Sequence, residues 1–478
     1  MSINNTNRRD FLKHASIATI GLALPNTDAT AANQNTEVAN QNAQTSLRDA
    51  KQLLDFPKDK IRIGCIGVGM RGRNHLELLL QRADCEIVAL CDVDPNALAE
   101  SQKMIQKANK TKPTEYGKGE QDYRRLLDTE KLDAVIIATP WEFHSEQAIY
   151  ALRKGVYAGC EVCGGFSLDE CWELVNAHEE TGTHLFFLEN VCYRRDVMAV
   201  LNMVKQGLFG ELLHTEGGYQ HDLREVKFND GVNPYGRGVE FGEKGFSEAK
   251  WRTNHSVHRN GDLYPTHGVG PVAMMMDINR GNRFQFLTSV ASKSRGLHEY
   301  IVNHPKGGKN HPNAEVEFKL GDVVTTIIKC NNGETVMLSH DTNVARPYSL
   351  GFRVQGTKGL WMDVNKSLYI EGMSKQPHCW ELAEDYLKKY DHPLWKKYEK
   401  EAEGAGHGGM DFFVLNAFIE GVKRNEPAQI DVYDAATWLS ITPLSEASIA
   451  TGSSPQAFPD FTRGRWMKKK NEFGKGEF

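Results

Sequence analysis

The sequence predicts an α/β domain built on a parallel sheet, followed by an α+β domain with an open, mostly antiparallel sheet. From residue 60 to about 188, short apolar segments alternate with segments of helical periodicity, as in parallel strands joined by crossover helices. Beyond Asn190, one helix is followed by several β-type segments in succession, which is typical of an antiparallel sheet. We therefore expect the first domain at residues 58–190 and the second, with C-terminal helices, at residues 191–478.

The composition is that of a globular protein without a strongly charged partner. Of the 478 residues, 40% are hydrophobic and 25% are charged, and the length suggests two domains. The net charge of −5 gives no reason to expect nucleic acid or an anionic membrane as a partner. No apolar run reaches the roughly 18 residues of a membrane-spanning helix.

The nine cysteines do not follow the spacing of a disulfide-rich protein. Cys160-x-x-Cys163 lacks the further ligands of a zinc site, so no metal is expected.

The N-terminus resembles a targeting signal. The run Asn7-Arg8-Arg9-Asp10-Phe11-Leu12-Lys13 is similar to a twin-arginine export signal, and a mildly apolar stretch and the small residues Ala29-Thr30-Ala31 follow it. This implies a signal peptide at residues 1–32, the twin-arginine export machinery as a partner, and a periplasmic or otherwise exported protein. A chance arginine pair is the alternative. Residues 33–57, rich in Asn, Gln, Ala and Thr, are expected to form a linker.

A glycine-rich turn follows the first predicted strand. Residues 61–72 read Ile-Arg-Ile-Gly-Cys-Ile-Gly-Val-Gly-Met-Arg-Gly, an apolar strand that runs into Gly67-x-Gly69-x-x-Gly72. In a dinucleotide-binding turn, the first glycine permits the bend, the second admits a pyrophosphate, and the third lets the next helix pack closely. That helix begins near Arg71 and would direct its free N–H groups at the phosphates.

The second predicted strand, residues 86–91, ends at Asp92. An acidic side chain at this point can bind the ribose 2′-OH of NAD and repel the 2′-phosphate of NADP. Strand, turn, helix and acid together predict a Rossmann-type NAD-binding domain. A glycine turn in an unliganded α/β domain is the alternative.

The remaining elements follow in order. In the first domain we predict helices at 95–107 and 123–127, a loop at 108–121, strands at 134–139, 157–162 and 184–190, and a ligand-binding loop at 140–144. In the second domain we predict helices at 196–205, 410–423 and 435–451, and strands at 212–219, 284–294, 314–318, 323–330, 334–341 and 350–355.

Several motifs resemble the Gfo/Idh/MocA family of NAD(P)-dependent sugar enzymes, and within it glycoside hydrolase family 109. Besides the glycine turn, they are Trp141-Glu142-Phe143-His144, Asn-Gly-Asp-Leu-Tyr-Pro-Thr-His at 260–267, and Gly-His-Gly-Gly-Met-Asp at 406–411. The resemblance runs from about residue 60 to about 453. It implies an NAD-using α-N-acetylgalactosaminidase whose substrate is a glycan or smaller glycoside.

The resemblance also implies binding residues. With the glycine turn included, NAD would contact Gly67, Gly69, Met70, Arg71, Gly72, Asp92, Trp141, His144, Glu161, Val162 and Asn190, and Arg252 would reach it from the second domain. For Arg252 an exposed loop arginine is the alternative. From the residues themselves we expect the sugar to contact Tyr219, Tyr264, His267 and Tyr348. A strand-packing aromatic is the alternative for Tyr219, and a loop residue without a ligand is the alternative for Tyr348.

Two groups of the family's usual dehydrogenase pattern are missing. Typical members carry Glu-Lys-Pro after the fifth strand and use the lysine in proton transfer, whereas this chain has Glu161-Val162-Cys163. The usual aspartate four positions before the later histidine is replaced by Leu263, ahead of His267. We therefore expect Tyr264 and His267 to transfer protons to and from the sugar, and a water or His221 to assist the leaving group. The glycine and proline around them indicate an irregular, exposed loop, and structural polar side chains are the alternative.

The resulting hypothesis is a retaining glycosidase that uses and regenerates NAD in every turnover. Hydride passes from C3 of the terminal sugar to NAD, the C2 proton becomes acidic, and the aglycone leaves by elimination; water then adds and the hydride returns. A net NAD-dependent sugar dehydrogenase is the alternative function, and a sugar-binding protein with structural NAD is a third. The sequence does not decide whether the protein forms a homo-oligomer.

Export is expected to depend on the arginine pair. Changing Arg8 and Arg9 together to lysine should leave the precursor in the cytoplasm, because a receptor reads the arginines rather than bulk hydrophobicity. Immunoblots of cytoplasmic and periplasmic fractions measure this. Normal periplasmic yield from the double variant would show that another route is used.

Overall fold

The described chain up to about residue 190, called the first half here, forms a parallel sheet whose strands alternate with helices. The structure is a computed structural model that describes residues 57–475 and 478, so the predicted signal peptide and almost all of the predicted linker lie outside the described residues. The elements of this half are β1 Ile61–Ile66, α1 Met70–Leu80, β2 Cys85–Cys91, α2 Pro95–Lys107, β3 Thr114–Tyr116, α3 Asp122–Thr129, β4 Ala134–Ile137, α4 Trp141–Arg153, β5 Tyr157–Cys160, α5 Leu168–Thr181 and β6 Leu185–Phe187.

The six strands have the order β3-β2-β1-β4-β5-β6, and every neighbouring pair is parallel. This is the strand order of the Rossmann fold, in which ligands bind at the carboxyl edge where the order reverses, between β1 and β4. The central strand β4 is buried at all four positions, as its unbroken apolar run predicted. The predicted Rossmann-type sheet is therefore confirmed.

The second half forms a nine-stranded sheet with helices packed on it. Its elements are α6 Arg195–Lys205, β7 Leu212–Gln220, α7 Arg224–Lys227, α8 Arg252–His258, α9 Thr266–Met275, β8 Phe284–Ala291, α10 Gly296–Asn303, β9 Val323–Cys330, β10 Thr335–Asp341, β11 Arg353–Gly356, β12 Gly359–Met362, β13 Ser367–Ile370, β14 Glu381–Leu382, α11 Glu384–Lys389, α12 Pro393–Ala402, α13 Met410–Arg424, α14 Val432–Leu439, α15 Ile441–Ala450 and β15 Gln456–Ala457. The strand order is β14-β13-β12-β11-β7-β10-β9-β8-β15.

This second sheet is antiparallel except where β7 and β10 run parallel. The predicted open, mostly antiparallel sheet is therefore confirmed. Within the described ranges, no helix is long and apolar enough to cross a membrane.

Four local predictions are wrong. Residues 140–144 are not a loop, because α4 begins at Trp141 after Pro140, whose φ of −55° suits a helix start. The loop at 108–121 contains β3, a strand of three residues that is too short to show a period. A 3₁₀ turn at Pro312–Glu315 replaces the strand expected at 314–318. The helix at 435–451 is two helices, and Pro443 lies in the first turn of the second, where a missing N–H is tolerated.

Glycines let α9 lie directly against β7. A Cβ atom added to Gly268 would overlap the backbone of Gly218, and one added to Gly217 would overlap the carbonyl oxygen of Gly268. At Gly270, a Cβ would come within 3.0 Å of the side chains of Cys192 and Glu189. Every residue of α9 except His267 is buried. The small residues therefore fix how closely this helix approaches both β7 and the end of the first sheet.

We expect Gly268→Ala to lower the free energy of unfolding by about 1–3 kcal/mol, because the added methyl must displace backbone. Denaturant titration of protein free of bound dinucleotide measures the loss, so that the control at the predicted dinucleotide turn reports on packing alone. Gly69→Ala is the matched control, since a Cβ at Gly69 meets nothing within 4 Å and its φ of −63° suits alanine. Equal stability of the two variants would contradict the close packing.

Candidate active site between the two sheets

The glycine turn after β1 has the geometry of a phosphate-binding turn. Gly67 has a φ of +83°, and a Cβ there would lie 2.6 Å from the carbonyl of Ala138. A Cβ on Gly72 would overlap the carbonyl oxygen of Gly67, so the start of α1 packs tightly on the turn. Gly69 instead faces open space, and no side chain caps α1. The first N–H groups of α1 are therefore available to a pyrophosphate.

Asp92 lies beside this turn, at the end of β2. Its Oδ2 accepts a hydrogen bond from the Val68 amide at 2.8 Å, and its Oδ1 accepts one from the Asp94 amide at 2.9 Å. Burial raises the pKa of Asp92, and the two amide hydrogen bonds act in the opposite direction. The carboxylate is thus held in one orientation, and each oxygen keeps a lone pair for a ribose hydroxyl.

The Arg71 guanidinium binds carboxylates from both halves of the chain. Its Nε donates to Glu161 at 2.6 Å, and its Nη1 and Nη2 donate to Asp411 at 2.8 and 3.1 Å. Burial alone would raise the pKa of Glu161, but the Arg71 charge and a hydrogen bond from His75 hold it well below its ordinary value. Burial would also raise the pKa of Asp411, but this pKa is lowered by a hydrogen bond from His407 and by the positive charge of Arg71. Arg71 is therefore fixed beside the cofactor turn rather than free in solution.

Three other predicted cofactor residues have well-defined surroundings. Asn190 donates from Nδ2 to Asp411 at 2.7 Å. His144 is buried, and its ring nitrogens lie 2.8 Å from the carbonyl oxygens of Thr139 and Cys163, so it ties together the ends of β4 and β5. Val162 is buried in the core. The structure places these residues at the carboxyl edge of the first sheet, and their contact with a cofactor stays a prediction.

Arg252 connects the first sheet to the second. It begins α8 and is only 8% exposed, so the alternative of an exposed loop arginine is wrong. Its guanidinium lies 4.8 Å from the ring centre of Trp141 and 5.4 Å from that of Tyr264, and it pairs with Glu248. Since Trp141 starts α4 in the first half and Tyr264 lies in the second, these cation–π contacts join the two halves.

Five predicted sugar-site residues form one cluster at the end of β7. The rings of Tyr219 and Tyr264 stack with their centroids 4.3 Å apart, and His267 meets them edge-on at 5.4 and 4.8 Å. The Tyr219 hydroxyl lies 3.4 Å from His221 Nδ1, and the His221 ring lies 4.9 Å from that of Tyr348. The structure thus brings together side chains from three separate segments.

Burial changes the acid–base properties of this cluster. It raises the pKa of Tyr264 well above the ordinary value, and it raises the pKa of Tyr219 although the Arg252 charge acts in the opposite direction. Burial and the Arg252 charge lower the pKa of His221. The two phenols are therefore protonated donors, and His221 is a neutral imidazole.

The segment before His267 is buried, so the predicted exposed loop is wrong. Asp262 is 1% exposed, because α15 covers it: its amide donates to Ser445 Oγ, and its carbonyl accepts from Thr442 Oγ1, both at 2.8 Å. Leu263 packs in an apolar cluster and offers no acid to His267. Burial raises the pKa of Asp262 to about 7.

Glu189 supplies the acid that the sequence analysis did not find. It lies just beyond β6, it is 0% exposed, and its Oε1 and Oε2 lie 2.7 and 2.9 Å from His267 Nδ1. Its Oε1 also accepts from the Val191 amide at 3.0 Å. One feature of the sequence points to Glu189: it is a carboxylate directly after a strand of the Rossmann sheet, at the edge where ligands bind. With Nδ1–H donated to Glu189, His267 keeps its Nε2 lone pair for proton transfer.

Comparison with known families agrees with this geometry. Residues 61–188 match the profile of the oxidoreductase family with an NAD-binding Rossmann fold, and residues 193–468 match the C-terminal domain of glycosyl hydrolase 109. The sheet, the open glycine turn and the first profile define an enzyme that binds a nicotinamide-type dinucleotide. The second profile covers more than half of the chain, and the chain belongs to glycoside hydrolase family 109. It is a glycosidase.

Similar proteins carry the same family assignment. A glycosyl hydrolase family 109 protein of Stenotrophomonas maltophilia (strain K279a) is 56% identical over 418 residues, which cover 87% of this chain and 92% of that protein. An alpha-N-acetylgalactosaminidase of Tannerella forsythia is 50% identical over 473 residues, which cover 98% and 99%.

Solved structures with a similar fold include dehydrogenases. Levoglucosan dehydrogenase in complex with NADH and levoglucosan has a TM-score of 0.59 at 17% identity, covering 84% of this chain and 100% of that one. The WlbA dehydrogenase from Bordetella pertussis, in complex with NADH and UDP-GlcNAcA, has a TM-score of 0.56 at 15% identity, covering 84% and 98%. At these identities the likeness shows the shared fold.

We expect this protein to prefer NAD to NADP by about a hundredfold or more, because Asp92 would face the 2′-phosphate with like charge. Asp92→Ala should reduce the difference between the affinities for NAD and NADP. Calorimetric titration of protein stripped of cofactor measures both affinities. Asp94→Ala is the control, since it removes a neighbouring carboxylate that caps α2. Equal affinity of the unmodified protein for both cofactors would remove Asp92 from this role.

Proposed function

We propose that the protein hydrolyses terminal α-N-acetylgalactosamine residues with NAD as a cofactor that is regenerated in each turnover. The observation that carries the proposal is the Glu189–His267 pair beside two protonated tyrosines, next to the carboxyl edge of the Rossmann sheet. The usual glycosidase places two carboxyl groups across the scissile bond. Here Glu189 is wholly buried and hydrogen-bonded to His267, so it is no candidate nucleophile. The name of the Tannerella forsythia relative supports the choice of sugar.

The residues at the first sheet fit a dinucleotide. Gly69 is open, the first amides of α1 are uncapped, and Asp92 is oriented beside the turn. When bound there, NAD would accept a hydride from C3 of the sugar and later return it, which makes the C2 proton acidic in between.

His267 would act as the base. Glu189 fixes its Nδ1 as the donor and stabilises the imidazolium that forms when Nε2 takes a proton. Nε2 would remove a proton from the C3 hydroxyl or from C2 and give it back later in the cycle. Because Glu189 is excluded from water, solvent weakens its interaction with His267 little.

The tyrosines and Arg252 would stabilise charge on the sugar oxygens. Tyr264 and Tyr219 keep their protons because burial raises the pKa of each phenol. They can therefore donate hydrogen bonds to an oxygen at C3 as negative charge develops there. The Arg252 guanidinium, 5.4 Å from the centre of the Tyr264 ring, would add positive potential there.

His221 and Tyr348 would serve the leaving-group side. His221 is neutral and lies near the Tyr219 hydroxyl, so the two can pass a proton along the cluster. Tyr348 is 53% exposed and borders the outer edge of the cluster.

The alternative function, a net sugar dehydrogenase, lacks its usual proton-transfer group. Val162 is buried at the position where related dehydrogenases carry their lysine.

Turnover in heavy water tests the mechanism. Purified protein should release sugar from an aryl α-N-acetylgalactosaminide without added cofactor or net NADH, and mass spectrometry should find deuterium at C2. Deuterium appears there because the C2 proton is exchanged during elimination and water addition. Hydrolysis without any exchange at C2 would argue for direct displacement and against the proposal.

Variants of Glu189 and His267 test whether His267 is the base in this reaction. His267→Ala and Glu189→Gln should each reduce kcat by about 10²-fold or more, and the double variant should lose little further, since the two act as a unit. Bound NAD, released by denaturation and quantified, should stay near normal. Glu216→Gln is the matched control, because Glu216 lies 3.2 Å from His214 in a pair away from the cluster. Full activity of Glu189→Gln would overturn the assignment.

A further inference from the structure

The segment from Gly404 to Asp411 leads from α12 into the first turn of α13 and contacts the start of α1. It contains the Gly-His-Gly-Gly-Met-Asp motif at 406–411, to which the proposed chemistry gives no role. We propose that this segment, called the clasp here, holds the nicotinamide half of the dinucleotide in the site, and that His407 contacts that half directly. This inference rests on the proposed function, because a cofactor that stores a hydride within one turnover must not leave before the hydride returns.

Asp411 fixes the clasp to the first half of the chain. It is 1% exposed, and its Oδ1 accepts from Asn190 Nδ2 at 2.7 Å and from Arg71 Nη2 at 3.1 Å. Its Oδ2 accepts from Arg71 Nη1 at 2.8 Å and lies 2.7 Å from His407 Nδ1. Because an ionised carboxylate only accepts hydrogen bonds, Nδ1 of His407 is the donor. Arg71 and Asn190 are both predicted cofactor residues, so the clasp is hydrogen-bonded to the predicted cofactor site itself.

The strand order indicates which half of the cofactor the clasp would meet. A dinucleotide lies across the point where the order reverses, between β1 and β4, and Asp92 after β2 would take the adenine ribose. The nicotinamide half would therefore lie over β4, β5 and β6. The Arg71 guanidinium extends to Glu161, directly after β5, and Asn190 follows β6. Since the clasp is hydrogen-bonded to Arg71 and Asn190, it lies on the nicotinamide side.

His407 has one ring nitrogen available for a ligand. Its Nδ1 is held by Asp411 and lies 3.5 Å from Arg71 Nη1, whereas its Nε2 makes no hydrogen bond within residues 57–475 and 478. The side chain is 52% exposed, so this nitrogen can be reached. A neutral Nε2 accepts hydrogen bonds, and the nicotinamide half offers ribose hydroxyls and a carboxamide N–H₂ as donors.

The backbone of the clasp has an uncommon conformation. His407 has a φ of +43°, and Gly404, Gly406, Gly408 and Gly409 also have positive φ values. A residue other than glycine in this region costs free energy and persists where its surroundings hold it, often at a functional site. A Cβ on Gly404 or Gly408 would meet nothing within 4 Å, so these two are needed for their conformation rather than for space. The glycines thus set the path that carries His407 from the end of α12 to Arg71.

The rate of cofactor release tests the clasp. Protein stripped of cofactor is reloaded with NAD labelled in the nicotinamide ring, mixed with excess unlabelled NAD, and sampled by rapid gel filtration. His407→Asn should speed release of the label about tenfold, because a hydrogen bond to the cofactor is lost. Asparagine is chosen because it tolerates a left-handed backbone. His378→Asn is the matched control, since His378 is also exposed, has a φ of +60°, and lies between β13 and the edge strand β14. It should leave the release rate unchanged.

ADP separates a contact with the nicotinamide half from a general effect on the glycine turn. Because ADP lacks the nicotinamide half, His407→Asn should leave its affinity unchanged in calorimetric titration of stripped protein. Asp92→Ala should lower the affinity for ADP, since Asp92 would bind the adenine ribose. If His407→Asn weakens ADP as much as NAD, His407 acts through Arg71 and the glycine turn, and the clasp is overturned. Unchanged release of NAD from His407→Asn overturns it as well.

Hydrolysis by the unmodified enzyme tests the proposed function separately. If the NAD-loaded protein does not hydrolyse an aryl α-N-acetylgalactosaminide, the proposed function fails, whereas faster NAD release from His407→Asn with unchanged ADP affinity would still support the clasp. If the unmodified enzyme hydrolyses this substrate and His407→Asn holds NAD as long as the unmodified protein does, the clasp fails and the proposed function stands.

Discussion

The hydrogen bond from His267 to Glu189 joins the first sheet to the first turn of the helix packed on the second sheet. A carboxylate with 0% exposure is costly to bury unless donors replace its water. The imidazole and the Val191 amide provide those donors at 2.7 and 3.0 Å. The same bond fixes Nδ1 of His267 as the donor and therefore leaves Nε2 as the nitrogen that would face the sugar in the proposed mechanism. Fold stability and the proposed chemistry thus depend on one contact between the two halves.

That contact in turn depends on close packing. Gly268 lets α9 approach β7, and Gly270 leaves room for the Glu189 and Cys192 side chains. A larger residue at either position would push the helix away and lengthen the bond to His267. In the same cluster, the Arg252 guanidinium contacts the rings of both Trp141 of the first half and Tyr264 of the second. Since both bridges connect the halves, the site exists only in the assembled chain.

Much of the site could be predicted because its signals are local. The glycine turn, Asp92 and Asn190 follow strands, and the ends of parallel strands meet at one edge of a sheet. Tyr264 and His267 share one short motif. Glu189 was missed because its partner is 78 residues away and no local pattern connects them. The burial of residues 260–263 was also missed, because the helix that covers them lies near the end of the chain.

The sequence by itself determined the elements whose patterns are strong. Apolar runs located the buried strands, and helix α2 begins at Pro95 and ends at Lys107 as predicted, because Asp94 caps it and proline suits its first position. Only the tertiary structure decided that β7 pairs in parallel with β10, that α4 begins at Trp141, and that Arg252 is buried. These features arise from hydrogen bonds and packing between distant segments, and such contacts leave no periodic pattern in the residues that make them.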